Sequence, residues 1–245
     1  MSAVPLKKIR LAAAAAGFAL LAGCGTGTEA APQPAGSGQA PVAVTSEGTA
    51  EDAAPSASAA ADGIPASALL QPADVREAKA EPLEQGDFPH VRPLRPCGDK
   101  PYPSDETRSD AVAVKYVVES AEGEGSVPTV VAEFVGRHEA GGAAKQFDEI
   151  GAALKKCPGG LGEGQLKWSV VGNGVGGDES VLVRIDSKES YADEEPATVS
   201  RYAALARVDD AIVVVTDMGW ENLGGSEKLV RDLIGKAAER AKAVG

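Results

Sequence analysis

Between residues 111 and 241 the apolar residues change their spacing in an order that leaves few folds open. Residues 111–120 (AVAVKYVVES) and 127–137 (VPTVVAEFVGR) are rich in β-branched side chains. The turn-forming Glu122-Gly123-Glu124-Gly125 between them predicts a hairpin. Next, Ala143, Phe147, Ile150, Leu154 and Cys157 recur in steps of four and three, one face of a helix over about residues 140–156, which Pro158-Gly159-Gly160 stops. Strands are predicted at 165–171, 179–187, 199–208 and 211–217, the last two joined at Asp209-Asp210. Ser226 caps a final helix presenting Leu229, Leu233, Ala237 and Ala241. Strands follow strands instead of alternating with helices. The expected fold is therefore α+β: a mostly antiparallel β-sheet with the two main helices packed on one face.

The N-terminus carries a different signal. Lys7, Lys8 and Arg10 precede an apolar run over residues 11–22. Twelve residues at about 1.5 Å each fall short of a hydrocarbon core of about 30 Å, so an export signal is expected, not a spanning helix. The run ends in Leu21-Ala22-Gly23-Cys24, which resembles the lipobox of bacterial lipoproteins. The resemblance implies that residues 1–23 are a signal peptide and that Cys24 carries a diacylglyceryl group. It places the chain on the extracytoplasmic face of the cell membrane, held there by two or three acyl chains. An ordinary secretory signal with an incidental cysteine is the bland alternative.

Charge agrees with such an anchor. Lys and Arg number 24 against 36 Asp and Glu, a formal net charge of −12, and loss of residues 1–23 removes three cations more. Nucleic acid and anionic lipid headgroups are poor partners for this chain, so its membrane contact must be covalent. Residues 24–62 read as the lipidated cysteine and a disordered tether. Of the 38 residues after Cys24, 29 are Gly, Ala, Ser, Thr or Pro, and no aromatic or basic residue interrupts them. Too little apolar surface is available there to offset the entropy of ordering. The folded domain is expected at 63–245, opening with a short helical turn in Ile64-Pro65-Ala66-Ser67-Ala68-Leu69-Leu70.

Three cysteines are odd in number for an exported chain until Cys24 is assigned to lipid. Cys97 and Cys157 then remain as a pair in an oxidising compartment. Their bond would pin the Pro-rich stretch 71–110 to the first helix. A redox or metal site is disfavoured by their wide separation and the lack of a histidine cluster.

Motifs for chemistry are weak. Gly172-Asn173-Gly174-Val175-Gly176-Gly177 fits G-x-G-x-x-G, yet Asp178, Glu179 and a strand-like run follow it, so a glycine-rich turn is expected. His90 sits among prolines and His138 ends a strand, and solvated or capping roles are the default for both. Asp193-Glu194-Glu195 lacks cation-loop spacing. Arg137, Arg184, Arg201 and Arg207 lie on predicted strands, where ion pairing or an exposed sheet face is the bland outcome. Trp168, Tyr202 and Trp220 are expected mainly in packing. The candidate ligand contacts are Arg137, Arg184, Arg201 and Trp220. No cofactor, metal site or catalytic residue is expected.

Several short runs together resemble a known family. They are Ile64 to Leu70, Pro96-Cys97-Gly98, Val131-Ala132-Glu133-Phe134-Val135, Cys157-Pro158-Gly159 and Gly177-Asp178-Glu179-Ser180. Over most of 63–245 they are similar to the "sensor domain" of actinobacterial lipoproteins and to the extracellular PknH-like domain of mycobacterial receptor Ser/Thr kinases. The resemblance implies an extracytoplasmic α+β domain with a ligand-binding cleft. Kinase sensor domains of this type usually carry two disulfides, whereas one can form here. The sequence holds neither a kinase domain nor a spanning helix, so any signal would pass through a partner. The expected function is a non-catalytic binding or sensing lipoprotein taking a small ligand. The alternative is a structural lipoprotein that contacts another envelope protein.

Overall fold

The computed structural model describes residues 63–119, 127–190 and 195–244. The expected signal peptide, Cys24, the tether, the Glu122–Gly125 turn and the Asp193-Glu194 pair lie outside them. Seven strands form one antiparallel sheet: β1 (Glu81–Pro82), β2 (Arg108–Val118), β3 (Thr129–His138), β4 (Lys167–Asn173), β5 (Glu179–Glu189), β6 (Ala197–Val208) and β7 (Ala211–Asp217), in the order β1-β2-β3-β7-β6-β5-β4. Helix α1 (Gly142–Lys156) connects β3 to β4, and α2 (Glu227–Ala241) follows β7. The protein is α+β and mostly antiparallel sheet. Among the described residues no helix is long and apolar enough to cross a membrane.

The two helices lie on opposite faces of the sheet, which corrects the expectation of a single covered face. The buried cluster under α2 takes Leu182, Ala204, Ala206, Val213 and Val215 from β5, β6 and β7. The cluster under α1 takes Val181, Val183, Ala203, Leu205, Ile212 and Val214 from the same strands. Successive side chains point to opposite faces, so runs apolar at every position need cover on both sides. All seven residues of β7 are buried.

Ser226 caps α2, its side chain accepting from the Leu229 amide. The glycine-rich turn joins β4 to β5 and leans on α2, where a Cβ on Gly176 would lie 3.2 Å from Gly235 Cα. Its amides are already used: those of Val175 and Gly176 donate to Ser180 Oγ at 2.7 and 3.0 Å.

Helix α1 leaves part of its sheet face to the segment over residues 83–102. Val91 and Leu94 of that segment are buried with the α1 core. Cys97 is bonded to Cys157, the C-cap residue of α1, with S–S 2.08 Å and Cα–Cα 5.2 Å. A buried polar network completes the attachment. His138, expected to be solvated or capping, is buried, with Nε2 3.1 Å from Gln146 Oε1 and Nδ1 3.0 Å from Thr107 Oγ1. Ser104 N–H donates to Glu149 at 3.1 Å. Burial, then the Arg108 charge, holds the His138 pKa below its ordinary value.

Candidate functional site: a cleft between the disulfide-pinned segment and the sheet

A cleft of about 510 Å³ opens where the pinned segment meets the sheet end remote from the Asp209-Asp210 hairpin. Phe88 and His90 form one wall; Ile185 and Glu189 of β5, Arg201 of β6, Val130 of β3 and the Met218–Glu221 turn form the other. Buried apolar surface with a few convergent polar groups suits a small-molecule site.

Asp217, at the end of β7, positions the turn that carries Trp220. Its carboxylate accepts from the Gly219 amide at 2.9 Å, the Ser226 amide at 2.7 Å and the Thr129 hydroxyl. Gly219 has φ +70, and a Cβ there would come within 2.0 Å of Leu223 O, so the turn needs glycine.

Arg201 braces the opposite side. Its Nε donates to Met218 O at 2.7 Å, Nη1 to Ser187 Oγ at 3.1 Å and to Glu189, and Nη2 to Glu189 Oε2 at 2.9 Å and Glu221 O at 3.4 Å. All five of its N–H groups are therefore engaged. These hydrogen bonds hold the Glu189 carboxyl below the usual range. Arg201 shapes the cleft wall and has no donor left to offer.

Three polar groups of the lining remain open. Among the described residues the Trp220 indole N–H and the exposed Glu221 carboxylate have no hydrogen bond, and the His90 ring makes an edge-on contact with Trp168, centroids 6.2 Å apart. Burial, and then the nearby Arg201 charge, lowers the His90 pKa, so the ring is neutral at pH 7.

Arg201 and Trp220 thus meet in one cleft. Arg137 and Arg184 do not join them: their positions on β3 and β5 share the parity of Val135 and Leu182, which face α2. Arg137 pairs with Asp110. Arg184 Nε lies 3.2 Å from Asp186 Oδ1 without hydrogen-bond alignment. Arg207 pairs with Asp178 and Glu179 at 3.0 and 2.9 Å. Phe88, Glu189 and Asp217 escaped sequence reasoning. The aromatic-proline run Phe88-Pro89-His90 was the available hint for the first, and none existed for the other two before the strand register is known.

No family model matches this chain, and neither a curated protein nor a solved structure matches it. Among the described residues, no three His, Cys, Asp or Glu side chains group as metal ligands would.

Proposed function

We propose that this protein is a lipid-anchored extracytoplasmic binding module, non-catalytic, whose ligand enters the cleft between Phe88, His90 and Trp220. The single observation that carries this is the cleft's chemistry: a largely apolar lining whose Trp220 indole N–H, His90 ring and rim carboxylate of Glu221 are unengaged among the described residues, beside an arginine already saturated by its own protein. Such a lining suits an uncharged molecule with an apolar body and a hydrogen-bond acceptor for the indole N–H. The lipobox-like Leu21-Ala22-Gly23-Cys24 and the likeness to PknH-like sensor domains support the setting.

Titration with the neutral dye N-phenyl-1-naphthylamine tests the assignment. Saturable one-to-one binding is expected, weakened about tenfold by Trp220→Ala, since an aromatic wall contributes on the order of 1 kcal/mol or more. Binding that is unsaturable, or indifferent to Trp220→Ala, would overturn it. A second class of function, contact with an envelope protein, draws support from edge strand β4, where Val170 and Val171 are 49% and 38% exposed. Cross-linking from position 170 to one stoichiometric protein in cells, without dye binding, would favour it.

A further inference from the structure

A second cleft, of about 700 Å³, lies on the other side of the pinned segment. Its lining holds Arg92, Arg95 and Arg108, in a chain whose 36 acidic residues outnumber 24 basic ones. Arg95 and Arg108 share one carboxylate, Asp105, at 2.8 and 3.0 Å. That carboxylate also accepts from the Tyr102 amide and Gln146 Nε2. Burial works against its ionisation, but Arg95, the Tyr102 amide and Arg108 outweigh burial and keep it charged. The guanidiniums are seated on rings, Arg95 5.2 Å over Tyr102 and Arg108 5.7 Å over Phe134. Arg92 is half-buried, and its guanidinium has no ion pair or hydrogen bond among the described residues. Asp99 is the carboxylate that lines the cleft, and Asp105 lies behind it against Arg95 and Arg108, so three cations face two anions.

The backbone adds a second element. β1 pairs with Val114 and Lys115, and among the described residues the outer edge of β2 from Arg108 to Val112 has no strand partner. The Leu83 amide donates to Ala113 O at 3.1 Å, so the Ala113 peptide groups point outward from the sheet. Residues two apart on a strand direct their N–H and C=O to the same side. The N–H and C=O of Ala111 therefore also point outward, and Ala111 lines the cleft.

We propose that this cleft binds a short extended peptide bearing a carboxylate. The peptide main chain pairs with the free edge of β2 at Ala111, and Arg92 takes the carboxylate. Main-chain pairing supplies affinity without sequence demand, while the unpaired guanidinium supplies the requirement for an anion. Leu83, Pro89 and Phe134 offer apolar contact to a small side chain between the two. The inference is independent of the Trp220 cleft.

Fluorescence anisotropy of the full-length protein in detergent tests it, with N-terminally labelled Ala-Val-Ala-Val-Ala as probe. The free-acid peptide should bind saturably. Its C-terminal amide, and a form N-methylated at alternate peptide nitrogens, should each bind about tenfold more weakly or worse. Arg92→Ala should cost about tenfold with an unchanged melting temperature, Arg92→Lys should recover part, and Trp220→Ala should have no effect. Equal binding of acid and amide, indifference to Arg92→Ala, or no saturation below about 1 mM would overturn the proposal. Acetate competing as tightly as the peptide would reduce the cleft to a small-anion pocket and refute strand addition.

Discussion

Glu133 is buried within β3 on the α2 side of the sheet, held between the Leu70 amide at 3.0 Å and the Tyr116 hydroxyl at 2.6 Å. The Tyr116 oxygen also lies 2.9 Å from Leu70 O. A protonated Glu133 can donate to Tyr116 while Tyr116 donates to Leu70 O; an ionised Glu133 leaves one hydrogen for both gaps. Burial accordingly raises the Glu133 pKa from 4.5 to about 7, against the Tyr116, Leu70 and Arg240 interactions that favour the anion, and Asp74 adds to the rise. The folded state thus holds a proton that the unfolded chain releases near pH 4.5. That stability is complete below pH 4.5 and is lost as pH rises through about 7, by roughly 3 kcal/mol in all. Urea unfolding from pH 4.5 to 8 should show this decline, and Glu133→Gln should flatten it. A wild-type profile flat across that window would contradict the assignment. Glu133 stood in the sequence as one polar letter in Val131-Ala132-Glu133-Phe134-Val135. Nothing in that run says that Tyr116 and the Leu70 turn meet it, because both contacts cross from other elements.

Helix α1 was legible because its stripe has the 3.6-residue period and a Pro-Gly stop, and Ile150 on that stripe is fully buried. Ile150→Ala should cost about 2–5 kcal/mol in urea unfolding. Gln146 was not legible, since a polar residue on the buried side signals nothing until His138 is placed against it at 3.1 Å. The disulfide acts at the same scale. Cys97 and Cys157 are separated by 60 residues, and their bond contributes about 4 kcal/mol by limiting the unfolded chain. Alkylation of native protein without reductant should label neither cysteine. Cys97→Ser with Cys157→Ser should lower stability by about that amount and weaken dye binding, because the pinned segment walls the cleft. Unaltered dye affinity in that variant would mean that Val91 and Leu94 hold the segment unaided.

For the whole molecule, the proposed anchor makes a separable claim. Cys24→Ser should move the protein from the detergent phase to the aqueous phase, with the folded domain melting as before; retention in the detergent phase would refute lipidation at Cys24. Removing about half of residues 25–62 should change domain stability in urea unfolding by less than roughly 0.5 kcal/mol. The sequence by itself determined the α+β class, both main helices, the β2–β3 and β6–β7 pairings and the cysteine pair. Each of these follows from local period, turn chemistry or counting, which act over a few residues. The tertiary structure alone decided that α1 and α2 cover opposite faces, that Arg201 is spent on Glu189 and the Trp220 turn, and that Arg92, unpaired among the described residues, lies beside the outer edge of β2. Those facts depend on register and strand order, which join residues far apart in the chain and leave no periodic trace along it.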